Sequence, residues 1–179
     1  MATVGSDLFT ESVNTDLASH TPNVGAGWTE EVALKWTIFQ ATDSVEHSAA
    51  ALEMARKGDN ISDDDMDVTV DAQSSTSTNR ISGICGRMTT VDFDNAYQAY
   101  FQGAGVGVNL DIYLFKEVAT VRTQLGSSIN GGPAAATPTA LKLEIRTATK
   151  KVFSAGVEKI NNADDSLIGN NYAGLISNG

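Results

Sequence analysis

Twenty-two acidic residues, two histidines and one cysteine are the side chains of this 179-residue chain that could hold a metal, relay a proton or attack an electrophile. The densest acidic stretch runs Asp63-Asp-Asp-Met-Asp67, with Asp63, Asp65 and Asp67 at alternate positions. Carboxylates so spaced suit calcium. The stretch nevertheless lacks the glycine at the sixth position and the glutamate at the twelfth that complete an EF-hand loop. It reads as a solvated strand entry, with a calcium ion shared between loops as the alternative. His20 follows Asp16 by four residues and His47 follows Glu46, and neither has a second histidine or a cysteine at zinc-ligand spacing. His20 is therefore expected to fix its loop by hydrogen bonding. Cys85, between Ile84 and Gly86, reads as a small buried side chain rather than a nucleophile. Gly103-Ala-Gly105-Val-Gly107 departs from the dinucleotide spacing Gly-x-Gly-x-x-Gly and leads into a strand, so a tight β connection is expected. Asn60-Ile-Ser62 fits a glycosylation acceptor by chance.

The aromatic residues offer a different chemistry. Tyr97, Tyr100, Phe101 and Tyr113 lie close together in mid-chain, and an aromatic ring presented on a sheet can stack on the apolar face of a sugar. Strand alternation places Tyr97 and Phe101 on one face and Tyr100 on the other, so part of this group must pack in a core. Tyr97, Tyr100 and Tyr113 are the candidate glycan-stacking residues. Trp28 and Trp36 read as core or loop anchors.

Short β runs separated by Gly, Asn, Asp and Ser clusters must position these groups. Met66-Asp-Val-Thr-Val-Asp-Ala alternates Met66, Val68 and Val70 against Asp67, Thr69 and Asp71, a strand with one wet face. Further strands are expected over 80–88, 96–101, 109–116, 119–125, 139–146 and 151–157, the last two forming a hairpin across Thr147-Ala-Thr-Lys. Residues 48–57 read either as a short helix stopping at Gly58 or as a strand. Residues 21–27, 74–79 and 127–138 read as loops, too short to link domains. The pattern is that of one antiparallel β-sandwich domain spanning 1–179, with 1–7 as an N-terminal arm.

Apolar residues make up 41% and charged residues 19% of the chain, which is enough to bury a core without staples. A formal charge of −10 opposes nucleic acid and anionic lipid as partners. Asp7, Glu11 and Asp16 with no Lys or Arg in the first twenty residues argue against a secretory signal, and no apolar run suits membrane insertion.

Leu8-Phe9-Thr10, Asp16-Leu-Ala-Ser-His20-Thr-Pro22 and Gly25-Ala-Gly-Trp28 together resemble the opening of concanavalin A-like, laminin-G-like jelly-roll domains found in phage and bacterial proteins. Ser82-Gly-Ile-Cys-Gly-Arg87 and Tyr97-Gln-Ala-Tyr-Phe101 resemble adjacent strands of such domains. The C-terminal stretch matches best: Pro138 to Arg146, Val152 to Glu158, and Asp165-Ser-Leu-Ile-Gly-Asn-Asn-Tyr-Ala-Gly-Leu175. The resemblance implies an all-β jelly roll. It also implies a closing strand beside the first, which is missing here after Ser177-Asn-Gly179, leaving Leu8 to Glu11 as an open edge for another chain. Glucanases of this fold carry paired carboxylates on one strand, and no Glu-x-Asp-x-Glu strand is present. The function expected first is a non-enzymatic structural subunit on the surface of a tailed-phage virion, a capsid decoration or surface projection. It would be homo-oligomeric, contact the major capsid or other virion proteins, and meet host surface glycans. The alternative is a lectin-like carbohydrate-binding adhesion module, and a glycoside hydrolase comes third.

Overall fold

The computed structural model describes residues 5–31, 35–40, 44–48, 51–59, 61, 65–75, 77, 79–89, 95–103, 105, 109–169 and 171–178. Its strands are β1 (Thr15–Asp16), β2 (Trp28–Glu30), β3 (Trp36–Phe39), β4 (Ser44–His47), β5 (Glu53–Lys57), β6 (Met66–Ala72), β7 (Ile81–Met88), β8 (Ala96–Gln102), β9 (Asp111–Val118), β10 (Val121–Gln124), β11 (Thr139–Ile145), β12 (Thr149–Ser154), β13 (Val157–Ala163) and β14 (Tyr172–Asn178). They form a seven-stranded sheet in the order β10-β9-β8-β7-β14-β5-β2, a four-stranded sheet β13-β12-β11-β6 and a three-stranded sheet β1-β3-β4. Every pairing is antiparallel, and among the described residues the helical structure is a 3₁₀ turn at Leu17–Ser19.

Period-two patterning explains how the layers meet. Leu141, Leu143 and Ile145 of β11 are fully buried in one core with Ile84 of β7, Tyr97, Ala99 and Phe101 of β8, and Ile112 and Leu114 of β9. The intervening Lys142 and Glu144 turn outward, as a strand with one wet face requires. Trp28 and Trp36 join the same core.

Turn chemistry sets the registers. Ala119 and Thr120 both have positive φ, 48° and 69°, and join β9 to β10 in a two-residue hairpin. Ala155 and Gly156, at 49° and 78°, do the same between β12 and β13. The expected strand over 151–157 is thus broken by Ala155-Gly156, and the expected strand over 119–125 starts only at Val121. Residues 53–57 are strand rather than helix, because Ala55 packs in the core while Met54 and Arg56 point the other way; residues 49 and 50 of the 48–57 reading lie outside the described residues. Leu8 to Glu11 is not a strand. This segment follows a bridge between Ser6 and Val24 and is held by side chains instead.

The chief of these is His20. Its Nε2 lies 2.7 Å from Asp7 Oδ1, and its Nδ1 meets Glu11 Oε1. The second Asp7 oxygen accepts the Trp28 indole N–H at 2.8 Å. His20 thus fastens its own loop, as the sequence suggested, while Asp7 proves to be an anchor within the stretch read as an arm. Burial opposes the imidazolium, but the Glu11 and Asp7 carboxylates outweigh it and raise the His20 pKa above 6.5. The stabilisation is therefore complete below the unfolded-state value and is lost as pH rises through the higher folded-state value. Thermal melts between about pH 5.5 and about pH 9 should show His20→Ala destabilised by about 2–3 kcal/mol at the acidic end, with the gap from wild type narrowing as pH rises.

Candidate functional site

The face of the seven-stranded sheet turned away from the four-stranded sheet carries its own cluster, comprising Met54, Ile81, Cys85, Met88, Ala96, Tyr100 and Ile176, with Leu52, Tyr113, Phe115 and Tyr172 packed against it. Alternation creates this second face: β8 sends Tyr97, Ala99 and Phe101 into the core and Ala96, Gln98 and Tyr100 to the far side. β9 does likewise with Tyr113, Phe115 and Glu117. Register then brings together residues distant in sequence. Tyr100 stands opposite Tyr113 and Gly83, and Gln98 stands opposite Phe115 and Cys85.

Tyr100 is stacked with Tyr113 at 5.5 Å and with Phe115 at 5.7 Å between ring centroids, the planes inclined by 20° and 14°. Arg122 of β10 lies over both Phe115, at 4.4 Å, and Tyr100, at 5.0 Å. Its Nε donates to Gln98 Oε1 at 2.9 Å, and Gln98 Nε2 donates to Glu117 Oε2 at 2.6 Å. The Nη2 of Arg122 is buried and has no hydrogen-bond partner among the described residues. At the other end of the face, Arg56 of β5 lies 4.4 Å above the ring of Tyr172 of β14. Gln98, Cys85 and Tyr100 form a buried floor, whereas Tyr113, Phe115, Glu117, Arg122, Arg56 and Tyr172 are half-buried and line its rim. Burial drives the Tyr100 hydroxyl pKa well up, and likewise that of the Cys85 thiol, so neither ionises near neutrality. The Cys85 thiol points to Met54 Sδ at 3.5 Å, which suits a packed side chain.

Of the three candidate tyrosines, Tyr100 and Tyr113 share this face and Tyr97 does not. Tyr97 is fully buried in the core between the sheets, and its hydroxyl donates to Asp164 Oδ1 at 2.5 Å. Burial, with Asp164 adding to it, pushes its pKa up to about 12. Asp164 also accepts from Lys116 Nζ at 2.7 Å and from the Ser166 hydroxyl at 2.7 Å, while its backbone carbonyl accepts from the buried Lys150 ammonium. Of the calcium candidates, Asp63 lies outside the described residues. Asp65 Oδ1 accepts the Thr147 N–H at 3.1 Å, and Asp67 is held by Lys142 and Arg146, each at 2.8 Å. Burial would raise the Asp67 carboxyl, but these two cations lower its pKa. Among the described residues no three His, Cys, Asp or Glu side chains converge as metal ligands. Glu53 Oε2 accepts from His47 Nε2 at 3.0 Å, and the imidazole packs on Trp36.

Phe115, Arg122, Arg56 and Tyr172 were not singled out from the sequence. The available signal was β9 itself, whose Ile112/Leu114 and Tyr113/Phe115 pairs show a strand with large apolar side chains on both faces.

No protein-family model matches the chain, and no curated protein matches it in sequence. Solved structures do. The chain is similar to a carbohydrate-binding module, CBM66, from Bacillus subtilis, with 15% identity, 84% of this chain and 87% of that chain covered, and a TM-score of 0.68. A Bacillus subtilis protein of unknown function with a galectin-like fold is similar at 14% identity, over 100% of this chain and 92% of that one, with a TM-score of 0.59. A Bacillus licheniformis β-glucanase is similar at 9% identity, over 94% and 86%, with a TM-score of 0.55. At these identities the likeness speaks for architecture, and the architecture is the antiparallel jelly-roll β-sandwich of the concanavalin A-like type.

Proposed function

We propose that the protein is a non-catalytic, lectin-like module that binds saccharide on the far face of its seven-stranded sheet. The observation that carries this reading is the half-buried rim of Tyr113 and Phe115 stacked on the buried Tyr100, with Arg122 lying over Phe115, Glu117 beside them, and Arg56 and Tyr172 farther along the same face. Sugar rings present apolar faces and hydroxyl edges together. An aromatic rim flanked by guanidinium and carboxylate groups meets both. The likeness in fold to a carbohydrate-binding module makes saccharide the first ligand class to try, while the assignment rests on the face itself, since fold does not fix function. Affinity electrophoresis against a panel of neutral and acidic polysaccharides tests the reading: retardation by at least one polysaccharide, abolished in Tyr113→Ala, is expected. Absence of retardation across the panel would refute it.

The virion-subunit reading, with capsid contacts, homo-oligomers and a place on the particle surface, is supported by one observation, the edge of β6 that has no strand partner among the described residues and is of the kind that multi-copy assemblies cover. Its test is copurification with particles at fixed stoichiometry. Recovery only as free protein would remove it.

A further inference from the structure

Two of the chain's twelve asparagines precede glycine, Asn130-Gly131 and Asn178-Gly179. In this dipeptide the following backbone nitrogen most easily reaches the side-chain amide carbon, because glycine has no Cβ to obstruct the approach. The fold treats the two pairs in opposite ways. Asn178, in β14, is clamped: its Oδ1 accepts the Ile81 N–H at 2.5 Å and its Nδ2 donates to Asn79 O at 2.7 Å. Asn130 is exposed, and its side chain has no hydrogen bond among the described residues. Its neighbours are fixed. Ile129 and Ile112 exchange both backbone bonds, at 2.9 and 3.0 Å, while the Gly132 N–H donates to Leu110 O at 2.8 Å and Pro133 O accepts the Leu110 N–H at 2.9 Å. Asn130 and Gly131 therefore bulge from this short ladder beside Asp111. The Gly131 N–H has no partner among the described residues and its φ is 76°. Beyond its chain neighbours, no atom lies within 4 Å of where a side chain on Gly131 would begin. The attacking nitrogen and the amide carbon it attacks are both unshielded, at a loop position open to water.

We propose that Asn130-Gly131 is a self-modification site, where the asparagine cyclises onto the next residue and reopens as aspartate or isoaspartate, while Asn178 is protected. The Gly131 nitrogen bonds to the Asn130 side-chain carbonyl carbon. Solvent carries its proton to the departing side-chain nitrogen, which leaves as ammonia. Water then opens the resulting cyclic imide. Breaking the new carbon–nitrogen bond gives aspartate, and breaking the original backbone bond gives isoaspartate. The aspartate product keeps the backbone and adds one negative charge beside Asp111, in a chain already at −10. The isoaspartate product routes the chain through the side-chain carbonyl and so inserts one methylene carbon between Ile129 and Gly132. The spacing that lets Ile129 pair with Ile112 while Gly132 bonds Leu110 is then lost, which loosens the start of β9. None of this rests on the saccharide reading.

The test is prolonged warm incubation of the full chain, followed by peptide mapping by mass spectrometry and labelling with an isoaspartate-specific methyltransferase. In the folded chain, conversion at Asn130 should be at least tenfold faster than at Asn178, and should accelerate as pH rises because the Gly131 nitrogen must lose its proton. In denaturant, where its clamp is gone, Asn178 should convert at least tenfold faster than it does in the folded chain, while Asn130 changes by less than about threefold. Asn130→Gln, at an exposed position without side-chain partners, should keep the folded amide spectrum and abolish the isoaspartate label at that site. In the converted protein, amide exchange at Leu110 and Gly132 should be at least tenfold faster. Equal conversion of the two asparagines in the folded chain, or a rise on unfolding as steep at Asn130 as at Asn178, would overturn the proposal. So would a label that persists in Asn130→Gln, and unchanged exchange at Leu110 and Gly132 would overturn its structural consequence.

Discussion

Asp164→Ala is expected to lower the unfolding free energy by about 3–5 kcal/mol, the cost of removing one partner from a largely buried ion pair, and to lower Tm by about 10 °C. Asp164 follows β13 directly and receives the Tyr97 hydroxyl, the Lys116 ammonium and the Ser166 hydroxyl and backbone N–H. Its removal leaves the hydroxyl of the fully buried Tyr97 without its acceptor and Lys116 with an unpaired, mostly buried charge. Burial acts to raise this carboxyl, but Lys116, Tyr97 and Ser166 together hold it well below the ordinary carboxylate range. A depressed carboxyl contributes its full stabilisation above the unfolded-state value of 3.8 and loses it as pH falls towards the folded-state value. Denaturant titrations should therefore show the largest gap between wild type and Asp164→Ala near neutrality, shrinking below about pH 4. A change under 1 kcal/mol, taken as about the median for an exposed pair, would mean that this cluster is solvated.

Tyr113→Ala is expected to weaken saccharide binding at least tenfold, about 1.4 kcal/mol, with only a small loss of stability. Tyr113 is half-buried at the rim, so truncation removes contact surface without opening the inter-sheet core. It also removes the 5.5 Å stack that holds Tyr100 in place. Tyr97→Phe is the matched control. It deletes a hydroxyl on the opposite face of the neighbouring strand β8, so it should reduce stability through Asp164 while leaving saccharide affinity within twofold, about 0.4 kcal/mol. Calorimetric titration of both variants separates the two faces. Equal loss of affinity in both would show that the platform is not the binding surface.

How much of this was legible in the sequence depended on whether the information was local. The alternation in Met66 to Ala72 and Leu141 to Ile145 is local, and both runs are strands with the expected faces inward. The role of His20 in its loop was also readable. The break in 151–157 was missed because Ala155 is an unusual residue at positive φ, although Gly156 beside it is a normal hairpin signal. The far-face platform was only half visible. Tyr100 and Tyr113 lie on neighbouring strands, but Arg122, Arg56 and Tyr172 reach that face through a register fixed by long-range pairing, which sequence patterning does not specify. The Asp164 cluster was hidden for a related reason: Asp164-Asp165-Ser166 looks like a solvated turn. The clue lay in β12, where Lys150 falls in the same alternating set as Val152 and is buried.

The saccharide reading is tested most directly by amide chemical-shift mapping of the full chain with the polysaccharide fragment that gives the strongest retardation. The account predicts saturable shifts confined to Tyr113, Phe115, Glu117, Arg122, Arg56 and Tyr172 and their strand neighbours, with β6 and the His20 loop unmoved. Shifts clustered on β6 or at the sandwich loops, with that platform silent, would contradict it.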